Sequence, residues 1–353
     1  MKRSSKNKSS ERKAAKANEG AGLPVSDNSD ALLANHAGFS PDYAGANPEL
    51  AGYHVPVMLR ECLEGLNINP AGTYVDLTFG GGGHSREILK LLTTGKLYAF
   101  DTDPEAALNA ADKEAFPPKK FTLIHSNFRH LKQYLKMYGV TTVDGILADL
   151  GISSHQIDTP ERGFSTRFDA PLDMRMGPNV AQSAADLIRT ASETQLHRIF
   201  GEYGEVTNAK TLAAAVVKAR IMRPIETTGQ LKDAITPLAP RNREFKYQAQ
   251  VFQALRIAVN EEMEALEQAL LQSAEILKPG GRLVVMSYHS LEDRPVKNLI
   301  AKGKIRGEAE KDLFGNENLP FKKINRKPVE ASEIEIQANP RARSAVLRIA
   351  EKI

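Results

Sequence analysis

Four consecutive glycines, Gly80 to Gly83, stand between a β-forming run, Tyr74-Val75-Asp76-Leu77-Thr78-Phe79, and a helical pattern that opens His84-Ser85-Arg86-Glu87-Ile88. Strand, glycine turn and helix begin a nucleotide-binding βαβ unit. Glycine lets the backbone turn tightly there and approach a ligand with no Cβ in the way. The next apolar run, Lys96-Leu97-Tyr98-Ala99-Phe100, ends in Asp101. A carboxylate at the end of the second strand, about 20 residues past the glycines, can accept hydrogen bonds from both hydroxyls of a ribose. The third glycine of a dinucleotide fingerprint would fall at Ser85. Its replacement weakens a pyrophosphate reading and favours a smaller ligand such as S-adenosylmethionine. Asp76 points the same way, because a carboxylate suits an ammonium and a sulfonium better than it suits a pyrophosphate.

Ligands of an open α/β sheet sit beyond the carboxyl ends of its strands. Phe121–His125 and Asp144–Leu150 read as the third and fourth strands, which adds Asn127-Phe128 and Asp149 to that edge. Phe128 can stack on an adenine or fill the core. Asp149 precedes Leu150-Gly151-Ile152-Ser153-Ser154-His155-Gln156. It is a candidate acceptor for an amino group undergoing methylation, or else a cap or turn former. A fifth strand, Arg282–Ser287, runs into Tyr288-His289-Ser290-Leu291-Glu292-Asp293-Arg294, which makes His289 a candidate catalytic residue. His84 can hold the cofactor through its backbone or its ring, while His54 and His155 have weaker claims. No Cys/His cluster has metal spacing, so no metal is expected. A serine hydrolase is not supported, because Gly-x-Ser-x-Gly is absent.

The elements that must carry these residues follow from the pattern. Strands alternate with helices as far as residue 150, which predicts a parallel α/β sheet. Residues 151–178 are loop-like and 180–250 mostly helical. Phe252–Leu277 reads as one long amphipathic helix, stopped by Lys278-Pro279-Gly280-Gly281. From residue 300 the chain reads as basic loop, with a strand-like Ser344–Ile349 near the end. The organisation expected is a disordered basic tail over 1–50, a cofactor-binding domain from 51–157 and 251–353, and an inserted helical substrate-recognition domain over 158–250.

At 41% hydrophobic and 25% charged, the 353 residues have an ordinary globular composition. The single cysteine, Cys62, cannot form an internal disulfide, which fits a reducing compartment. No apolar run has the length of a membrane span and no signal peptide is evident, so a cytoplasmic protein is expected. Residues 1–18 hold seven Lys and Arg against Glu11. That net +6 leaves −2 for the rest of a chain whose total is +4. The body is therefore not broadly basic, and any RNA contact must come from local patches.

From about residue 53 to the end the chain closely resembles the MraW/RsmH family of bacterial methyltransferases. The resemblance lies in His54-Val55-Pro56-Val57, Asp76-Leu77-Thr78-Phe79-Gly80 through His84, and Asp144 through Ser154. It continues in Glu161-Arg162-Gly163-Phe164-Ser165, Pro171-Leu172-Asp173-Met174-Arg175-Met176, Phe252-Gln253-Ala254-Leu255-Arg256, Ser287–Arg294 and Asn339-Pro340-Arg341-Ala342-Arg343-Ser344. It implies a Rossmann-like class I methyltransferase that uses S-adenosylmethionine to methylate N4 of a cytidine in 16S ribosomal RNA of the 30S particle, as a monomer or homodimer. It also implies cofactor contacts at Gly82, Gly83, His84, Asp101, Phe128, Asp149 and Gln156, of which Gln156 comes from the resemblance alone. The family commonly has a basic residue where this chain has Gly81, and Arg where it has Gln250.

The cytosine N4 lone pair is delocalised into the ring, so the amine needs an acceptor for its growing charge and a fixed line to the methyl group. The base must be unpaired or splayed out to reach a pocket. Arg162, Arg167 and Arg175 are candidate phosphate contacts, with solvated surface charge as the ordinary reading. Two other functions compete: a nicotinamide-dependent oxidoreductase, weakened by Ser85, and a non-catalytic RNA-binding assembly factor, opposed by Asp101 and Asp149. The composition of residues 1–18 cannot build a pocket. Deleting them is expected to leave turnover intact at saturating substrate and at most raise KM and flatten its salt dependence. Steady-state kinetics at two salt concentrations check this, and a large fall in kcat would contradict it.

Overall fold

The structure, a computed structural model, describes residues 56–311, 314–315 and 317–353. The expectations for residues 1–50 and for His54 lie outside the described residues. The apolar runs form strands β1 (Thr73–Asp76), β2 (Lys96–Asp101), β3 (Phe121–His125) and β4 (Val143–Asp149). Helices α1 (Leu59–Leu66), α2 (Gly83–Leu91), α3 (Ala106–Asn109) and α4 (Leu131–Met137) accompany them. β5 (Leu277–Ser287) pairs parallel with β4. β8 (Val346–Lys352) then pairs antiparallel with β5, and also carries β6 (Phe321–Lys323) and β7 (Val329–Glu330). The strand order β3-β2-β1-β4-β5-β8-β6 is that of a mixed, mostly parallel Rossmann-like sheet.

The strands are continuous apolar runs because helices cover both faces. Successive side chains alternate between those faces. Val75, Tyr98, Phe100, Ile146, Leu283 and Val285 pack on one side. Tyr74, Leu97, Ala99, Leu147, Val284 and Met286 pack on the other, against Cys62 and Leu66 of α1 and Ile88 of α2. The chain order runs outward from β1 to β3 and then returns to β4 on the other side of β1. That reversal opens a crevice at the carboxyl ends of β1 and β4.

Between β4 and β5 lie α5 (Ser154–Asp158), α6 (Ala184–Thr190), α7 (Glu193–Glu202), α8 (Ala209–Met222), α9 (Thr228–Ile235), α10 (Glu244–Asn260) and α11 (Glu262–Ile276). α6 to α10 bury a cluster of their own that includes Leu187, Phe200, Leu212, Leu231 and Leu255. Reciprocal capping boxes at Ser183, Ser192 and Thr227 start α6, α7 and α9. α10 runs through residue 250, and Val251, Phe252 and Val259 beyond it still pack in that helical cluster.

Three expectations need correction. The long helix over 252–277 is two helices, broken at Glu261, whose φ is 50°. No glycine or proline marks the break. Arg129 donates to the Glu261 carbonyl at 3.1 Å, which also accepts Ala265 N–H at 3.0 Å, and pairs with the Glu261 carboxylate at 2.7 Å, so a distant residue fixes the kink. Pro279 and Gly280 lie within β5, at a register irregularity against β4, rather than ahead of the strand. The chain beyond residue 300 is not only loop: it supplies β6, β7, α12 (Ser290–Lys302) as it ends, and α13 (Glu333–Ala338). Among the described residues no helix is long and apolar enough to cross a membrane.

Candidate active site

The glycine loop continues both neighbouring ladders, since Leu77 N–H donates to Leu147 O and Phe79 N–H to Phe100 O, each at 2.9 Å. Gly80 and Gly82 have φ of 52° and 74°, which L side chains rarely adopt. At Gly83 a Cβ would come within 2.3 Å of the Pro56 ring. Around Gly81 no atom of the described residues, apart from its chain neighbours, lies within 4 Å of that position, so this side of the loop is open among them.

Asp101 ends β2 and braces the loop. One carboxylate oxygen accepts Gly80 N–H at 2.7 Å and the other accepts Asp103 N–H at 2.8 Å. Each oxygen keeps a further lone pair. Burial pushes the Asp101 carboxyl up to about 6, against those two hydrogen bonds. Phe128 opens a short turn of 3₁₀ helix just past β3 and is partly buried against the sheet core. Gln156 is buried in α5. Its side chain accepts Ser153 N–H at 3.2 Å and donates to Asp103 at 3.0 Å. A cofactor contact by Gln156 would use its remaining amide hydrogen or the second lone pair of its side-chain oxygen.

Asp149 ends β4 at the crevice. Its N–H donates to Thr78 Oγ1 at 2.7 Å. Tyr288 Oη donates to its Oδ1 at 2.9 Å, and His84 Nδ1 lies 3.7 Å from its Oδ2. His84 Nε2 donates to Val57 O at 3.1 Å. A carbonyl only accepts, so Nε2 holds a proton and the Nδ1 approach is favourable when a proton sits on Nδ1 or on Asp149. Burial pushes the Asp149 carboxyl up to about 6, although His84 and the Tyr288 hydroxyl draw it down. Burial and the Asp149 charge in turn push the Tyr288 phenol up.

The structure thus brings Gly82, Gly83, His84, Asp101 and Asp149 to one crevice. It does not join His289 to Asp149 by a hydrogen bond or ion pair among the described residues. His289 Nε2 lies 3.2 Å from Glu292 Oε1 and 3.4 Å from an Arg256 nitrogen, and its buried Nδ1 has no partner among the described residues. Glu292, whose other oxygen accepts Tyr288 N–H at 2.8 Å, links the two. Burial would raise the Glu292 carboxyl, but the His289 hydrogen bond and the charges of His289 and Arg256 hold it below its ordinary value.

Arg162, Arg167 and Arg175 are not free for phosphate: they pair with Asp103 at 2.8 Å, Asp158 at 2.7 Å and Asp173 at 2.7 Å. Sequence reasoning gave no role to Thr78 or Tyr288, and read Asp103 only as a helix cap, whose carboxylate accepts Glu105 N–H at 3.2 Å. Tyr288 adjoins His289 in the same polar run, but nothing local announces that its hydroxyl meets a residue 139 positions away.

The MraW methylase family matches residues 51–353. The chain belongs to that family. It is 62% identical over 300 residues to the ribosomal RNA small subunit methyltransferase H of Cytophaga hutchinsonii, covering 85% of this chain and 99% of that one. To the protein of that description from Phocaeicola vulgatus it is 54% identical over 301 residues, covering 85% and 97%. A solved rRNA methylase from Streptococcus thermophilus matches at 13% identity over 84% of this chain and 93% of that one, with a TM-score of 0.35.

An MraW methylase draws its methyl group from S-adenosylmethionine, and the crevice fits that cofactor. The open face at Gly81 leaves room for it, and Asp101 offers two lone pairs where a ribose diol offers two donors. Asp101, Asp149 and the nearby Asp76 set negative charge where a sulfonium and an ammonium carry positive. Asp101→Ala is expected to weaken adenosylmethionine binding by about 1–3 kcal/mol, the loss of charge-assisted hydrogen bonds. Calorimetric titration reads this directly, and unchanged affinity would remove Asp101 from the site.

Proposed function

We propose that this MraW methylase transfers a methyl group to N4 of a cytidine in small-subunit ribosomal RNA, acting on the 30S particle in the cytoplasm. The observation that carries the reading is Asp149, a carboxylate at the crevice held between a phenol and an imidazole. S-adenosylmethionine, when bound, supplies an electrophilic methyl group on a sulfonium. Asp149 accepts a hydrogen bond from the N4 amine, which turns the nitrogen lone pair away from the ring and offsets the positive charge that grows on it. The amine starts neutral, so the proton need not leave before attack. Once the bond has formed Asp149 receives it, and His84 Nδ1, 3.7 Å away, stands next in line. Tyr288 fixes the carboxylate's orientation and is a positioning residue. His289 bears on the site through Glu292 and Tyr288, with Gly82, Gly83, Phe128 and Gln156 framing the cofactor crevice. The helical segment over 158–250 serves substrate recognition.

Asp149→Asn keeps the shape and removes the charge. A loss of about 10²–10³ in single-turnover rate is expected, the scale for one preorganised electrostatic partner. Asparagine caps a turn as well as aspartate does. A near-normal rate in that variant would therefore reduce Asp149 to a turn former.

The pH profile follows from the same group. Asp149 works as the carboxylate, so kcat/KM is expected to fall as pH drops through about 6, where the free chain takes up the proton. The Tyr288 hydroxyl hydrogen-bonds to the charged form and holds that midpoint down. Tyr288→Phe is thus expected to move the acid limb to higher pH. An acid limb in the same place as in the unaltered chain would deny Tyr288 this role.

A further inference from the structure

A cavity of about 530 Å³ opens between α10 and the loop that follows α5. Two aromatic faces, Phe164 and Phe252, line it, together with Ser165, Gln253, Arg167 and Arg341. Ile152, three residues past Asp149, also lines it, so the cavity adjoins the catalytic crevice. Its volume lies within the roughly 300–1,000 Å³ common for ligand sites. Arg167 and Arg341 both pair with Asp158 beside the cavity, at 2.7 and 2.9 Å.

Phe245 continues the cavity outward. At 3.6 residues per turn, positions 245, 249, 252 and 256 fall on one stripe of α10. Ala249, Phe252 and Arg256 of that stripe line the cavity. Phe245 stands at the outer end, 86% exposed. Around it Arg241, Arg243 and Lys246 are exposed, with Glu244 the one acid in residues 241–246. A bare aromatic ring among cations is a poor solvent face, but it matches what unpaired bases and their phosphates require. It also lies on a body whose net charge, apart from residues 1–18, is negative.

We propose that this stripe is a track for single-stranded RNA. Phe245 stacks on an unpaired base, the exposed Arg241, Arg243 and Lys246 hold backbone phosphate, and the cavity receives a nucleotide beside the one whose base enters the crevice at Asp149. The track rests on the RNA-methylating reading given above and names its contacts.

Binding of a naked small-subunit RNA fragment spanning the methylated cytidine, titrated at fixed salt, tests the track without requiring turnover. Phe245→Ala is expected to weaken binding about 5- to 100-fold, the scale of one lost base–aromatic stack. Phe245→Tyr keeps the ring and is expected to bind as the unaltered chain does. Arg243→Gln is expected to lower the slope of log affinity against log salt. Adenosylmethionine affinity should be unchanged in Phe245→Ala, which shows that the fold is intact. Met137→Ala, another exposed apolar position at 72%, is the control and should bind RNA normally. Equal RNA affinity in Phe245→Ala and the unaltered chain overturns the track, including where the RNA is held elsewhere or a protein partner covers Phe245. A chain that binds RNA through Phe245 but transfers no methyl group overturns the methylation reading and leaves the track standing.

Discussion

One buried carboxylate, Asp76, holds the crevice together. It is 1% exposed at the end of β1. One oxygen accepts the Ser85 hydroxyl at 2.7 Å, and the other accepts Thr78 N–H at 3.0 Å. The Thr78 hydroxyl in turn accepts Asp149 N–H at 2.7 Å. A carboxylate taken out of water is costly unless it is hydrogen-bonded, so these bonds are needed to keep Asp76 where it is. Burial still outweighs them and pushes its carboxyl up. The result is a clamp that joins the glycine loop, the first turn of α2 and the end of β4. Asp149 stands at a fixed place relative to Gly82 because of it. Ser85 also gains a meaning: it is the hydroxyl partner of Asp76, as well as the departure from a dinucleotide fingerprint.

How much could be read in advance depended on whether the signal was local. The parallel strands were legible because each is an apolar run buried on both faces, and Asp101 and Asp149 because a strand's carboxyl end is a position that sequence can count. Asp76 was legible as a strand-end acid, but its partners turn it inward, to brace the loop. Tyr288, and the part Asp103 plays beyond capping a helix, were invisible for the opposite reason. Their importance comes from residues far along the chain, Asp149 for one and Gln156 and Arg162 for the other. The kink at Glu261 is of the same kind. The apolar period runs straight through it, and only Arg129 from one side and the buried Arg256–Glu262 pair, at 2.8 Å, from the other make the break favourable.

Electrostatics then decide what the crevice accepts. The Asp76 charge adds to the upward push on the carboxyls of both Asp149 and Asp101. Within the crevice His84 is the basic group that answers them, drawing both Asp76 and Asp149 down. A site with three carboxylates and one imidazole stores unfavourable charge until a cation arrives. S-adenosylmethionine brings two positive centres, so binding relieves strain that folding has already accepted. The same charges disfavour a pyrophosphate, which gives a physical reason for the glycine loop to lack its third glycine.

That acid crevice sets a problem for an RNA substrate, whose backbone is an anion. The proposed track resolves it by separating the two tasks in space. Positive charge stands around the amino-terminal end of α10, at Arg241, Arg243 and Lys246. The phosphates can stay there. Only the base, which is neutral, then has to pass Ile152 into the neighbourhood of Asp149. A cytosine amine is a hydrogen-bond donor, so the carboxylate that repels phosphate attracts the one group that is to be methylated. The negative crevice therefore works as a filter for the part of the nucleotide that enters, and the cations need to lie outside it for the filter to hold.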